Sequence, residues 1–355
     1  MGATGQNTGV WPNYGWASMA DRLRIGILGA AGIAKLALIP AIRNAHNAEI
    51  AGLASRNAPA LAGWAKDQGI PRLYSDYAAL LADPNIDAVY IPLPNSEHAA
   101  WTMAAARAGK AVLCEKPLAM TAAEAEAVVR ECETCGTALL EGFMYRFHPQ
   151  HARVRQIIAS GEIGDVIEVQ AHLSVDIMSP ADAKNVRFSP ALGGGALLDM
   201  GCYVVHIARS VFAEEPLAVL GRWTIDDRFG VDTAASGILE FSGGRSAVVS
   251  CSFQGNGQGF YRVVGRLGVI DLPRGILPGL ADRVPEALII VSDATGSRRE
   301  ELLPPVDQYQ LMVEAFADAV LRNRPMPYAA ADAVANLSVL DAFAQSARSG
   351  MRVAL

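Results

Sequence analysis

The chain has 355 residues, 51% of them hydrophobic and 19% charged, with 30 Lys+Arg against 36 Asp+Glu and a formal charge of −6. That length exceeds what one core comfortably fills, which favours two domains, and the apolar content is that of a globular fold, not a disordered or fibrous one. The acidic balance excludes a general attraction to nucleic acid or anionic membrane, and the richest apolar runs are broken by Gly, Pro or charge before the roughly 18 residues that a bilayer demands.

Residues 1–20 lack the basic start and apolar stretch of a secretory signal, and Met19 stands just before Ala20 and Asp21, so this segment is expected to be a leader or flexible arm. Five cysteines fit a reducing compartment better than a disulfide framework, which makes the cytoplasm the expected location. Cys132 and Cys135 form a C-x-x-C without a second ligand pair, so they read as two helical cysteines.

From Arg24 onward an aliphatic run, a small-residue turn and a helix recur, the order of parallel strands joined by helical crossovers. Strands are predicted over 24–28, 49–54, 88–91, 111–114 and 138–142; helices follow Ala31 and cover 60–68, 77–82, 99–108 and 122–134. This is the grammar of a doubly wound, dinucleotide-binding α/β domain over 21–146. Past a helix at 149–160, strands predominate, at 166–174, 218–225, 233–241, 245–254, 260–265, 268–272 and 287–292. Short turns such as Ser242-Gly243-Gly244 favour antiparallel pairing, and helices at 308–322 and 331–347 close an α+β domain over 147–355. In 245–254, Ala247 and Val249 occupy one register and Val248, Cys251 and Phe253 fall near the other, so both sheet faces need cover. Helices can cover one. The other is expected to make a homodimer or homotetramer.

Gly29, Ala30, Ala31, Gly32, Ile33 and Ala34 place a small-residue turn between the first strand and its helix. A helix start there offers free N–H groups and a positive dipole end to a pyrophosphate. Against the G-x-G-x-x-G/A pattern the positions are Gly29, Ala31 and Ala34, with the second glycine replaced. At the end of the second strand Ser55 and Arg56 stand where an NAD site carries an acid for the ribose hydroxyl. A hydroxyl donor and a guanidinium suit a 2′-phosphate instead, so NADP is expected over NAD.

Cys114-Glu115-Lys116-Pro117-Leu118, directly after a strand of the first domain, resembles the E-K-P signature of the glucose-fructose oxidoreductase, inositol dehydrogenase and MocA (Gfo/Idh/MocA) family. The stretches 91–98, 109–112, 141–149 and 193–203 resemble its other segments in the same order. The resemblance implies an N-terminal Rossmann sheet, doubly wound and parallel, plus a C-terminal α+β domain with a large, mostly antiparallel open sheet. It implies an enzyme that moves hydride between nicotinamide and a hydroxyl or carbonyl carbon of a sugar, sugar derivative or cyclic polyol. A trans-dihydrodiol dehydrogenase is the alternative enzyme, and a non-catalytic NADP-sensing protein the alternative class. Pro92, Pro94, Asn95, His98, Glu115 and Lys116 are then expected to border the nucleotide, together with the turn and Ser55-Arg56.

Lys116, at the carboxyl end of a parallel strand, is placed to polarise a carbonyl or stabilise an alkoxide. Asp199, Tyr203 and His206 lie four and seven apart, which on a helix gives them one shared face. Tyr203 replaces a histidine common in the family, as in the branch with glucose-fructose oxidoreductase and dimeric dihydrodiol dehydrogenase. A phenol beside a lysine is expected to titrate lower than usual, which points to Tyr203 for the proton and Asp199 for orientation. Arg146, Arg187 and His206 are expected substrate contacts, and no metal-ligand cluster is legible.

Overall fold

The computed structural model describes residues 22–179, 181–278 and 286–355; the expected arm at 1–20 lies outside them. Six strands, β1 (Leu23–Leu28), β2 (Ala48–Ala54), β3 (Leu73–Tyr74), β4 (Ala88–Ile91), β5 (Ala111–Glu115) and β6 (Leu139–Gly142), form a parallel sheet in the order β3-β2-β1-β4-β5-β6. The order reverses between β1 and β4, and a crevice at such a switch point is where open α/β sheets take their ligands. Buried on both faces, the strands read as almost unbroken apolar runs, for example Ala-Val-Tyr-Ile in β4.

The first crossover starts as a π-helical stretch, Ala34–Leu38, before α1 (Ile39–Asn44). Pro40 has no N–H to give the ladder, and Ile39 N–H bonds to the Ala34 carbonyl five residues back. The remaining crossover helices are α2 (Ala58–Asp67), α3 (Tyr77–Leu81), α4 (Asn95–Arg107) and α5 (Ala122–Cys135). Helix α4 begins four residues before the expected start, directly after Pro94. Strand β3 was not anticipated: two residues carry no period.

Beyond α6 (Pro149–Ala159), nine strands form the second sheet: β7 (Val166–Ser174), β8 (Ala218–Ile225), β9 (Asp232–Glu240), β10 (Ser246–Ser252), β11 (Gln258–Gly265), β12 (Gly268–Leu272), β13 (Ala287–Asp293), β14 (Arg298–Leu303) and β15 (Val353–Ala354). Pairing is antiparallel except at the centre, where β7 runs parallel to β10. Turn chemistry specifies neighbours in sequence, whereas β7 and β10 are separated by α7 (Cys202–Phe212) and two strands, so their sense follows from topology. β14, Arg-Arg-Glu-Glu-Leu-Leu, escaped prediction because an edge strand is largely exposed and carries charge where a buried one carries apolar residues.

Helices α6 and α7, with α9 (Ala331–Ser349), pack on one face of this sheet, while α8 (Gln308–Leu321) packs on α1 and β1 and α9 also meets α5, tying the end of the chain to the first sheet. Contrary to the expected split, Ala247, Val249, Cys251 and Phe253 all lie on the buried face, as the period of two requires. On the open face Leu220, Ile238 and Val248 pair in register across β8, β9 and β10 and are 42%, 42% and 45% exposed. The stretch Pro190–Phe212 is long and apolar enough, at mean hydropathy 1.4, to match a membrane span, but most of it is buried in the core.

Candidate active site

β1 delivers the chain to Gly29 at φ +101°, where a Cβ would stand 2.8 Å from the Leu93 side chain. Only glycine passes there without displacing Leu93. Around Gly32 a Cβ would meet nothing within 4 Å, and no side-chain cap closes the helix start that follows at Ile33 and Ala34. An open space against uncapped amides fits a pyrophosphate, with Ala31 small enough for close approach. At the end of β2 the buried Ser55 Oγ accepts the Asn57 N–H at 3.1 Å and keeps its own hydrogen to donate. Arg56 extends into solvent with one Nη 3.2 Å from Glu97 on α4. The pair suits a 2′-phosphate, which would compete with Glu97 for the guanidinium.

Pro92, Leu93 and Pro94 carry the chain from β4 into α4. Asn95 Nδ2 donates to the Gly193 carbonyl at 2.8 Å, joining this loop to the second sheet's side of the molecule. His98 departs from expectation. It is 1% exposed, and its ring nitrogens lie 2.7 Å from the Pro117 carbonyl and 2.8 Å from that of Leu93. Burial lowers its pKa, so the neutral ring donates to one of these carbonyls while its other nitrogen faces the second, and His98 sits enclosed between the two loops. Glu115 is a brace: its carboxylate accepts from the Tyr90 hydroxyl at 2.7 Å and from the Lys116 N–H at 3.3 Å, while burial holds its pKa above the usual value.

Lys116 projects from the end of β5. Its Nζ lies 2.6 Å from the Asp199 carbonyl and 3.0 Å from Asp199 Oδ1, and Arg187 Nε donates to Oδ2 at 2.6 Å. Burial alone would lower the Lys116 pKa, but Asp199 with Cys202 and Glu115 outweighs it and holds the ammonium above its ordinary value. The two cations likewise overcome burial at Asp199 and press its carboxyl far below the carboxylate range. The cluster is a charged, half-enclosed pair of donors around one acceptor.

Asp199 sits in a π-helical stretch, Leu197–Gly201, that runs into α7. Tyr203 does come beside Lys116, but through its ring: Nζ is 4.9 Å from the centroid, and the hydroxyl points away to Met144 Sδ at 3.3 Å. The expected lowering of the phenol pKa is reversed. Burial pushes it well above 10, and the negative charges of Glu115 and Asp199 push it further the same way. His206 and Arg146 are not part of the cluster either. His206 bonds Tyr145 through Nδ1 and lies 2.8 Å from Asp332 through Nε2, and Arg146 also pairs with Asp332. Burial takes the His206 pKa to about 4. Tyr145, Arg146 and Asp332 border a separate cavity of about 1660 Å³ that none of Gly29, Ser55, Lys116 and Asp199 lines. Among the described residues no group of three or more His, Cys, Asp or Glu is placed to hold a metal.

Residues that sequence reasoning left without a role hold the cluster in place. Tyr90 stands in an apolar strand, where a phenol needs a partner, and that need was the available signal. Glu141 Oε1 accepts the Leu118 N–H at 2.7 Å, just past Lys116-Pro117, and Asp232 Oδ2 accepts the Leu197 N–H at 2.6 Å. No local pattern marks Asp232.

A tight turn opening onto a helix start, a hydroxyl and a guanidinium at the end of β2 and a cation at the carboxyl ends of the strands fit a nicotinamide-dependent dehydrogenase or reductase. The chain belongs to the Gfo/Idh/MocA oxidoreductase family. Residues 23–143 match the oxidoreductase family NAD-binding Rossmann fold, and residues 151–271 match the GFO/IDH/MocA C-terminal domain. The chain is 40% identical over 334 residues to D-xylose 1-dehydrogenase (NADP(+)) 2 of Haloferax volcanii, covering 94% of this chain and 100% of that protein. Aldose-aldose oxidoreductase from Caulobacter crescentus superposes with a TM-score of 0.85 at 29% identity, over 94% of this chain and 100% of the other. A 3-ketoreductase from Actinomadura kijaniata, solved with NADP and TDP-benzene, superposes with a TM-score of 0.84 at 28% identity, over 92% and 98% of the two chains.

Burial raises the Glu141 pKa from 4.5 to about 7, more than the Leu118 amide lowers it. A raised carboxyl favours the folded state while it stays protonated, so folding stability falls as pH rises from about 4.5 to about 7 and then levels off. Glu141→Gln keeps an acceptor for Leu118 without the charge. Urea unfolding is expected to give similar stabilities for variant and wild type at pH 4.5 and an advantage of up to about 3 kcal/mol to the variant at pH 8. Equal stabilities at both pH values would contradict this account of Glu141.

Proposed function

We propose that this chain is an NADP-dependent dehydrogenase or reductase of a neutral sugar or related polyol, with 21–146 holding the nucleotide and 147–355 the substrate. The observation that carries the reading is the Lys116 ammonium, held at the mouth of the parallel sheet by Asp199 from the other side of the cleft. Full-length similarity to a xylose dehydrogenase supports an aldose as substrate. When bound, NADP supplies or accepts the hydride at nicotinamide C4.

The protein's own part is the proton and the charge. In the reductive direction the Lys116 ammonium hydrogen-bonds the carbonyl oxygen and passes a proton to it as the alkoxide forms; in oxidation the ammonium first releases a proton to solvent, and the neutral amine then receives the hydroxyl proton. Asp199 keeps that amine charged and aimed, and Arg187 keeps Asp199 from collapsing onto it alone. Tyr203 walls the site with its ring. Lys116→Ala is expected to lower turnover by about 10²- to 10⁴-fold on the best sugar of a panel of pyranoses, inositols and anhydrosugars, followed by nicotinamide absorbance, while NADPH affinity measured by fluorescence stays within about twofold. Tyr203→Phe is expected to keep most of the turnover. A severe loss there would return the proton to Tyr203, and full activity of Lys116→Ala would remove the mechanism.

Ser55 and Arg56 take the 2′-phosphate in this reading. Arg56→Ala is expected to raise the KM for NADP about tenfold or more and to leave that for NAD nearly unchanged, since a charge-assisted hydrogen bond to phosphate is lost only with NADP. Equal effects on both cofactors would clear Arg56 of this role.

The open sheet face supports a homodimer, as the unit itself or as half of a homotetramer. Leu220, Ile238 and Val248 align across three strands with no helix over them among the described residues, and a second copy of the same face is the cover of matching shape and chemistry. Light scattering is expected to give twice the 37.5 kDa chain mass or a multiple of it, and Val248→Glu to shift the population toward monomer. A wild type that is monomeric at all working concentrations would dismiss the face as an interface. All five cysteines are free thiols, which fits the cytoplasm; recovery of the native protein in a secreted fraction would not.

A further inference from the structure

The helix that carries Asp199 and Tyr203 starts without a cap of its own. Gly195 turns the chain at φ +115°, and the π-helical stretch Leu197–Gly201 opens with no side-chain cap from within the segment. Ala196 and Leu197 are 0% and 5% exposed, so their amides cannot turn to water, and a buried N–H left unpaired is costly. The partner comes from 35 residues further on. Asp232, at the start of β9 and 9% exposed, accepts the Leu197 N–H on Oδ2 at 2.6 Å, and the neighbouring Ala196 N–H also draws its pKa down. Its other oxygen occupies the side-chain position of residue 195: a Cβ on Gly195 would stand 2.2 Å from Oδ1.

Among the described residues no cation contributes to the state of this carboxylate; backbone amides alone answer its charge. A serine or asparagine would cap the same amides without burying a charge. What the carboxylate adds is a stronger grip, because charge-assisted hydrogen bonds are shorter and about twice as strong as neutral ones. The grip reaches the reacting centre in one step, since the Asp199 N–H donates to the Gly195 carbonyl at 3.1 Å and Asp199 holds Lys116.

We propose that Asp232 is a positioning residue for the reaction, fixing through Gly195–Leu197 the placement of the Asp199 carboxylate that aims Lys116. The proposal rests on the assignment of Lys116 and Asp199 to the reacting centre. Burial raises the Asp232 pKa to about 6 against the pull of the amides, and the nearby Cys251 thiol on β10 is pushed so far up that it stays neutral. Protonation weakens the carboxylate as an acceptor of the Leu197 N–H, so this bond is strongest above about pH 6, where burial makes the charge costliest to keep, and it weakens as pH falls through that value.

Asp232→Asn, close to isosteric, is expected to lower kcat about 10- to 100-fold at pH 8 with NADPH affinity unchanged, and to abolish an acid limb near pH 6 that the wild-type kcat profile shows. Gly195→Ala, which drives a methyl group into the carboxylate, is expected to lower kcat in the same way. Hydrogen exchange of the wild type needs neither variant nor substrate. After correction for intrinsic rates, the peptide 193–203 is expected to exchange roughly tenfold slower at pH 5 than at pH 8, because the raised carboxyl takes up a proton in the closed state and not in the opened one, while peptides from α9 keep the same protection. Protection of 193–203 that does not change with pH overturns the proposal, as does an Asp232→Asn variant with wild-type kcat and pH profile. Failure of the proposed function would show separately, as absent turnover by the wild type on every sugar.

Discussion

Asp199 accepts hydrogen bonds from two cations at once, Lys116 at 3.0 Å and Arg187 at 2.6 Å, in a place where Lys116 and Asp199 are mostly withdrawn from water and Arg187 reaches in from the solvent side. Taken singly, the buried lysine and carboxylate would each be driven toward the neutral form. Together they hold one another ionised, and because Lys116 stands on the parallel sheet while Asp199 stands 83 residues away beside the second sheet, the same contact closes the cleft. The ion pair thus does two things with one geometry. It keeps a lysine charged in a site partly removed from water, and it fixes the end of β5 against the segment that leads into α7.

The surroundings read as a frame for that contact. Glu115 and Glu141 each accept a backbone N–H of the Lys116 loop, His98 lies between the Pro117 and Leu93 carbonyls, and Asp232 takes the amide of Leu197. Backbone bonds fix a loop more firmly than side-chain packing does, because they leave the main chain few alternative dihedrals. A lysine ammonium on a long flexible stem needs such support if it is to meet a forming alkoxide without reorganising. Burying several carboxyls for this purpose costs stability, as the raised pKa values of Glu115, Glu141 and Asp232 record. Storing cost near the chemistry and recovering it in the two cores is a common arrangement.

Periodicity and turn chemistry in the sequence by themselves determined most of the elements, the doubly wound class of the first sheet, the tight strand-to-helix turn at Gly29 and the place of Ser55 and Arg56 at the end of β2, because all of these are written in residues that are neighbours along the chain. The E-K-P motif and the Asp199 segment were legible as a family pattern, and both arrive at the cleft. What the tertiary structure alone decided depends on directions and on distant partners. The parallel pairing of β7 with β10 spans a helix and two strands. The turning of the Tyr203 hydroxyl toward Met144, and the withdrawal of His98, Arg146 and His206 into other networks, follow from side-chain packing that spacing on a helix cannot express. Asp232 is the extreme case: an acid at the start of a strand becomes the cap of a helix only when folding brings that strand beneath it, and no pattern of residues along the chain encodes a contact made across space.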